Sequence, residues 1–226
     1  DRDVTAQTLR GDVAVLVPAA GAGVRLGPGG PKALREMGGE PLLVHAVAIG
    51  MNMAAGAPAP SGDQFQPWYA VLLLFGLRMV NPTDGPLGEE PAWRGFAQPR
   101  FQSKWSPLAS AAVLGLLITG WPMPLVFMPQ FDLGFPDIAS TVVVTFWYAW
   151  LFNRTGGSVL LPLIAHVTEG CVNTQALWSA GPHADRHAWM WLISWGLLVV
   201  CLLIFDRKSW RTAPESAIDR VPGRIA

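Results

Sequence analysis

Residues 188–205 read AWMWLISWGLLVVCLLIF, an unbroken apolar stretch that Asp206, Arg207 and Lys208 follow directly. A helix that crosses a bilayer needs about 20 mostly apolar residues. Charged residues at the end of such a stretch mark the point where the helix leaves the hydrocarbon. The stretch therefore predicts a membrane-spanning helix, and it decides the expected fold class.

The composition of the chain agrees with a location in a membrane. The chain has 226 residues, 51% of them hydrophobic and 14% charged, whereas an average soluble domain has about 25% charged residues. Its 11 tryptophans suit the membrane interface, where amphipathic rings are enriched. The formal net charge is zero, so no overall field would attract nucleic acid. We expect membrane lipid as a partner, and no nucleic acid.

Further apolar stretches cover residues 68–80, 108–128, 138–152 and 158–167. Pro122 and Pro124 interrupt the second stretch, which membrane helices tolerate when neighbouring helices satisfy the freed carbonyls. The third is rich in β-branched residues, so a β-sheet there would refute the helical prediction. We predict a mostly α fold, namely a multi-pass transmembrane bundle of four or five embedded helices after a short N-terminal βα fragment. Any strand should be confined to residues 13–18 and their surroundings.

Basic residues flank these stretches in a consistent way. They are Arg94, Arg100, Lys104, Arg154, Arg207, Lys208 and Arg211. A chain that crosses the bilayer back and forth places all of them on one face and Arg186, the one exception, on the other, and positive residues are enriched on the cytoplasmic face. We therefore predict an integral, multi-pass protein of a bacterial cytoplasmic membrane with the C-terminus inside.

Residues 88–96 read GEEPAWRGF and carry the strongest chemical signal of the chain. Glu89 and Glu90 are adjacent carboxylates, and Arg94 follows Glu90 by four residues, so a helix places Glu90 and Arg94 on one face. Charged groups near a low-dielectric boundary are costly unless they are paired or functional. Glu89 would then be the carboxylate that can act as a general base on a water molecule. The alternative is an ordinary helix start with acidic residues in its first turn.

The pattern Glu89-Glu90-x-x-x-Arg94, followed by Gly-Phe and a long apolar helix, resembles the first motif of the CPBP family. These are the CAAX proteases and bacteriocin-processing enzymes. Residues 147–158 and the approach to His166 resemble the last motif of that family, and the likeness spans residues 68–205.

The CPBP resemblance implies an intramembrane endopeptidase that acts on a peptide or protein substrate at the membrane. By position, Glu89 is the base, Glu90 and Arg94 are a supporting pair, and His166 is the surviving imidazole. The resemblance is compatible either with no cofactor or with a divalent metal at the Glu/His site. We assign no residue as a metal ligand.

Two positions depart from the CPBP pattern. Pro122 occupies the position of the middle-motif His, and Gly170 occupies that of the Asn or Asp four residues after the last His. Asn173 follows His166 by two helical turns on nearly the same face and is the candidate substitute. The loss of one hydrogen-bond donor to the oxyanion raises the activation barrier by about 3 kcal/mol. The sequence therefore leaves open an active protease and an inactive relative that acts as a membrane scaffold.

Residues 15–27 read VLVPAAGAGVRLG, a short apolar run that leads into a glycine-rich turn. The backbone at Gly21 and Gly23 can approach phosphates closely, and Arg25 and Lys32 add positive charge. These residues are the candidate cofactor-binding set.

Residues 11–50, which contain this turn, resemble the start of the methylerythritol-phosphate cytidylyltransferases. That likeness implies a loop that holds the CTP triphosphate. The alternative function is thus a cytidylyltransferase-like nucleotide-binding protein that uses the glycine-rich loop.

The predicted domain order follows from these segments. A complete doubly wound nucleotide domain needs several more βα units than residues 1–50 supply, so we expect these residues to form a truncated nucleotidyltransferase-like βα fragment. An Ala/Gly/Pro-rich junction follows at residues 51–67. The CPBP-like membrane domain covers residues 68–205, and a cytoplasmic polar tail covers residues 206–226.

Overall fold

The computed structural model describes residues 36–37, 40–65, 67, 69–83, 85–127, 134–171, 177–178 and 180–219. This part of the chain is mostly α-helical, so the predicted fold class is confirmed at that level. The predicted strand at residues 13–18 lies outside the described residues, and the N-terminal βα fragment stays a prediction.

The described residues contain ten α-helices. They are α1 Leu42–Ala54, α2 Tyr69–Val80, α3 Gly85–Glu90, α4 Gln98–Gln102, α5 Pro107–Gly120, α6 Phe135–Arg154, α7 Leu160–Cys171, α8 Pro182–Phe205, α9 Arg207–Arg211 and α10 Glu215–Ile218. A π-helical segment, Pro91–Ala97, joins α3 to α4, and 3₁₀ turns lie at Gly62–Phe65 and Met123–Phe127.

A two-residue antiparallel ladder precedes α1. β1, Glu36–Met37, pairs with β2, Glu40–Pro41, so that Glu36 is opposite Pro41. The prediction that strand would be confined to residues 13–18 and their surroundings is therefore wrong. The Gly-Gly sequence between β1 and β2 is a typical signal for a two-residue hairpin turn.

Helix α1 crosses the predicted boundary at residue 50 and packs against α8. Asn52 on α1 is fully buried. Its Nδ2 donates to the carbonyl of His183 at 3.0 Å, and its Oδ1 accepts from Arg186 Nε at 2.9 Å. These bonds join α1 to the helical bundle, and the division into domains stays a prediction.

Two helices of the described residues are long and apolar enough to cross a membrane, namely α6 with 20 residues and α8 with 24. Helices α2, α5 and α7 lie at three other predicted stretches but have only 12, 14 and 12 residues. The predicted number of four or five embedded helices therefore stays a prediction.

Helix α5 ends at Gly120, before the two prolines that interrupt this apolar stretch. Pro122 and Pro124 have no backbone N–H, so neither residue can donate an α-helical hydrogen bond. The chain continues instead as the 3₁₀ turn that begins at Met123.

Helix α6 lies at the centre of the bundle, against α5, α7, α8 and α9. Its Trp147 is almost fully buried, and the Trp147 ring centroid lies 5.2 Å from that of Trp195 on α8. Trp191 meets Trp195 edge to face at 6.0 Å. Such aromatic pairs contribute about 0.5–1.5 kcal/mol each beyond their burial. This packing explains why a β-branched-rich stretch is helical here.

A buried amide network fixes α4 against α6. Gln98 Nε2 donates to the carbonyl of Ala149 at 3.2 Å and to Asn153 Oδ1 at 3.3 Å. Gln102 Nε2 donates to the same Asn153 oxygen at 2.9 Å, and Asn153 Nδ2 reaches the carbonyl of Ser209 at 3.5 Å. The network anchors the end of the π-helical segment, and with it the residues that precede α4.

Asp206 links the end of α8 to α6. Its Oδ2 accepts from Trp150 Nε1 at 2.8 Å and from Ser209 Oγ at 2.9 Å, and it lies 3.4 Å from Arg154 Nε. Partial burial raises the pKa of this carboxyl, but the hydrogen bonds from Trp150 and Ser209 and the charge of Arg154 outweigh that effect. The pKa of Asp206 therefore lies below its ordinary value.

We expect Asp206 to make the stability of the fold depend on pH on the acid side. Because its folded pKa is lower than its unfolded pKa of about 4, its contribution is present above that value and is lost as pH falls through the folded pKa. Asp206→Asn should flatten the profile of Tm in detergent from about pH 7 to about pH 3. Asp63→Asn, which removes an exposed carboxylate, is the matched control. Identical profiles for wild type and Asp206→Asn would contradict this role.

Candidate active site

The acidic pair ends α3, at the point where the α-helix changes into the π-helical segment. Pro91 opens that segment and cannot donate the next α-helical hydrogen bond. At its other end, the backbone N–H of Gln98 donates to the carbonyl of Trp93, five residues earlier. Such a bond defines a π-helix, and π-helical turns are frequent at functional sites.

Glu90 lies at the centre of a buried charged cluster. Its Oε1 accepts a hydrogen bond from Arg94 Nη1 at 3.0 Å and lies 2.9 Å from His166 Nδ1 on α7. The exposed fractions of the side chains are 0% for Glu90, 2% for Arg94 and 24% for His166. Because a carboxylate paired with Arg94 is an acceptor, Nδ1 of His166 carries the hydrogen. Nε2 is then the imidazole nitrogen that remains for a water or a substrate.

This cluster is costly to bury. Glu90 Oε2, Arg94 Nε and Arg94 Nη2 are buried and have no hydrogen-bond partner among the described residues. A buried polar group without a partner costs about 1–3 kcal/mol. Ionisable groups that are costly to bury in an apolar bundle are expected where they serve a function and not where they only stabilise the fold.

A cavity of about 420 Å³ lies beside the cluster. The charged side chains that line it are Arg78, Glu89, Arg94, Asp137, His166 and Glu169. Glu89 and Glu169 are close enough to His166 to interact with it electrostatically. Glu90 does not line the cavity. The two adjacent carboxylates therefore have different surroundings, because Glu89 faces the cavity and Glu90 is buried against Arg94.

Tyr148 on α6 connects the parts of the site. Its ring centroid lies 5.0 Å from Arg94 Cζ and 5.6 Å from the ring of His166. Its hydroxyl donates to Glu169 Oε2. Neither Tyr148 nor Glu169 was among the predicted site residues. Glu169 could have been found as an ionisable residue in an apolar helix, one turn after His166 and on the same face.

The structure brings together four predicted site residues, Glu89, Glu90, Arg94 and His166, from two separate parts of the chain. The two positions that depart from the CPBP pattern, Pro122 and Gly170, line the same cavity. The other predicted site residues lie outside the described residues; they are Asn173, Gly21, Gly23, Arg25 and Lys32.

The donor set does not fit a metal ion. Among the described residues, no group of three or more His, Cys, Asp and Glu side chains is placed to hold one. The shared oxygen of Glu90 already binds the Arg94 guanidinium and the N–H of His166, so a divalent cation there would meet a fixed positive charge. We assign no step of the chemistry to a metal.

Residues 66–172 match the family described as "Rce1-like: Type II CAAX prenyl endopeptidase Rce1-like". This segment is therefore similar to Rce1-like CAAX protease domains. The family is one of membrane-embedded endopeptidases that act on peptide or protein substrates at the membrane, and the CPBP resemblance is confirmed at that level. The domain contains the whole cluster around Glu90 as well as Arg78, Tyr148 and Gly170. The match ends before α8.

Curated relatives match the N-terminal part of the chain. The 2-C-methyl-D-erythritol 4-phosphate cytidylyltransferase of Streptomyces coelicolor is 71% identical over 57 residues, which cover 22% of this chain and 21% of that enzyme. The enzyme of the same name from Streptomyces avermitilis is 68% identical over 34 residues, 15% of this chain and 14% of its own. The chain thus spans about a fifth or less of the length of these relatives. No solved structure matches the chain.

We expect Glu90 to be the residue of the acidic pair on which stability depends. Glu90→Gln leaves the Arg94 guanidinium buried without its counterion, and breaking a buried ion pair on one side costs about 3–5 kcal/mol. Glu89→Gln, at the cavity surface, should change stability by less than about 1 kcal/mol. Thermal unfolding in detergent, followed by tryptophan fluorescence, measures both. Equal losses in the two variants would contradict the separation of roles.

Proposed function

We propose that this chain is a slow intramembrane endopeptidase in which Glu89 activates a water molecule against a peptide bond. The observation that carries the proposal is the difference between two adjacent carboxylates. Arg94 and His166 engage Glu90, whereas Glu89 lines the cavity beside the imidazole. The match to CAAX endopeptidases supports the substrate class, a peptide or protein segment held at the membrane.

Glu89 acts as the general base in the first step. It takes one proton from the water while the water oxygen bonds to the scissile carbonyl carbon, and the carbonyl oxygen becomes an oxyanion. Collapse of this tetrahedral intermediate breaks the C–N bond, and the proton on Glu89 passes to the leaving amine. One water is consumed, and a carboxylic acid and an amine are released.

His166 orients the substrate or stabilises the charge that develops on it. Glu90 holds Nδ1, so the ring has one orientation, and a ring fixed in this way presents Nε2 at low reorganisation cost. Arg94 and the Tyr148 ring hold Glu90 and His166 in turn. Arg94 and Tyr148 are therefore positioning residues.

The rate should be low because two expected donors are absent from the cavity wall. Pro122 has no side-chain donor, and Gly170 has no side chain. Loss of one oxyanion donor lowers kcat by about 10²–10³-fold. Asn173 is one candidate substitute for the residue missing at position 170.

We place the protein in a bacterial cytoplasmic membrane as a multi-pass protein with its C-terminus inside. Two observations support this orientation. Apart from Arg186, the basic residues that flank the predicted spans fall on one face when the chain is threaded through the bilayer, and Arg207 and Lys208 follow α8 after Asp206. In this orientation the loop between α6 and α7, with Arg154 at its start, is cytoplasmic.

Cleavage of a membrane-tethered peptide reporter in liposomes tests the proposed function. Glu89→Gln should lower kcat by about 10²–10⁴-fold, because it removes the base without disturbing the Glu90 cluster. His166→Ala should lower kcat by about 10²–10³-fold. A chelator should leave the rate unchanged. Unchanged activity in Glu89→Gln would remove the assignment of Glu89, and a wild type with no activity would favour the membrane scaffold.

The second candidate function is nucleotide binding by the N-terminal segment, which the 71% identity to a cytidylyltransferase favours. We expect CTP to bind weakly or not at all. The residues after position 41 form α1, which packs against α8, so they are not available to continue a nucleotide-binding sheet.

Calorimetry measures the affinity of wild type and of Lys32→Ala for CTP and so tests this expectation. No heat of binding, or a weak signal that the substitution leaves unchanged, is the expected result. Micromolar affinity that disappears in Lys32→Ala would contradict it and would favour a working glycine-rich loop.

A further inference from the structure

We propose that Arg78 stabilises the tetrahedral oxyanion in the cavity and supplies the donor that positions 122 and 170 lack. The inference rests on the proposed endopeptidase function. Arg78 lies near the end of α2, and α2 packs against both α3 and α7, the helices that carry Glu89 and His166. Its side chain lines the same cavity as those two residues. A cation in an apolar helix is costly to place and marks a functional position.

Gly170 creates the space that Arg78 occupies. Arg78 Nη1 donates to the carbonyl of Gly170 at 3.4 Å. A Cβ atom at position 170 would lie less than 3.0 Å from Cζ, Nη1 and Nη2 of Arg78, closer than real Cβ atoms come to their neighbours. The guanidinium therefore fills the volume in which a side chain at position 170 would begin. An Asn at 170 and this position of Arg78 exclude each other.

The chemistry of the guanidinium suits an oxyanion. It is always protonated and presents five N–H donors in a planar fork, so it can bind the Gly170 carbonyl and a substrate oxygen at the same time. A cation that is already in place when charge develops needs no reorganisation in the transition state. Pro122 and Gly170 provide no donor of their own, and Arg78 lies at the cavity wall that they share.

Four variants and a control separate this role from a structural one. Arg78→Gln keeps a long amide side chain but removes the charge, and Arg78→Ala removes the donor. Gly170→Asn displaces the guanidinium, and the double variant Arg78→Ala/Gly170→Asn places an amide in the vacated space. Lys104→Gln removes an exposed cation that does not line the cavity and is the matched control.

We expect Arg78→Gln and Arg78→Ala each to lower kcat for the reporter by about 10²–10³-fold. Gly170→Asn should lose less, because its amide replaces the guanidinium that it displaces. KM should stay within about threefold, because the lost interaction forms only in the transition state. The double variant should regain about tenfold or more over Arg78→Ala, a rescue that a structural role does not produce. Lys104→Gln should match wild type. Unchanged kcat in Arg78→Gln, an effect on KM alone, or no rescue in the double variant would overturn the inference.

Ligand binding tests the same inference without turnover. A peptide phosphinate carries a tetrahedral anionic centre, and its affinity is compared with that of the peptide amide of equal sequence by tryptophan fluorescence in detergent. Wild type should prefer the phosphinate, and Arg78→Gln should lose about 10²-fold of that preference while it still binds the amide.

The two measurements distinguish the possible failures. If wild type cleaves nothing but Arg78→Gln loses the phosphinate preference, the proposed function fails and the anion site at Arg78 stands. If Glu89→Gln abolishes cleavage and Arg78→Gln keeps the preference, the inference about Arg78 is wrong and the proposed function stands.

Discussion

One carboxylate oxygen, Oε1 of Glu90, joins the Arg94 guanidinium and the His166 imidazole in the interior of the bundle. This contact connects the π-helical segment to α7, and Tyr148 on α6 packs against both of its partners. Because the charges are buried, no member can be removed without leaving another uncompensated. The orientation of the imidazole depends on this oxygen, and Glu89 lines the cavity beside the same imidazole.

The cavity combines retained and missing parts of the proposed hydrolytic site. Glu89 and His166 are present, whereas Pro122 and Gly170 supply no side-chain donor at positions where the CPBP pattern has His and Asn or Asp. Arg78 enters the space left by Gly170. A side chain at position 170 and the Arg78 guanidinium cannot occupy this space at the same time. In our proposal, Gly170 therefore allows one hydrogen-bond donor to replace another.

Helix α1, at the end of the N-terminal segment, is part of the helical bundle. The likeness of this segment to cytidylyltransferases is close in sequence but covers a small share of those enzymes. Helix α1 instead packs against α8, and Asn52 binds the backbone of His183 and the guanidinium of Arg186. An amphipathic helix needs only a complementary apolar face, so a helix from one context can be used in another.

The sequence by itself determined the helical class, the positions of the apolar helices and the Glu90–Arg94 pair, because hydrophobic length and i, i+4 spacing act within one helix. It did not reveal the end of α5 at Gly120 or the hairpin before α1, where local proline and glycine effects outweigh hydrophobic pattern. Only the tertiary structure decided that His166 binds Glu90, 76 positions away, that Tyr148 binds Glu169, and that Arg78 lies over Gly170. Contacts between helices depend on how the helices pack, and no spacing along the chain encodes that packing.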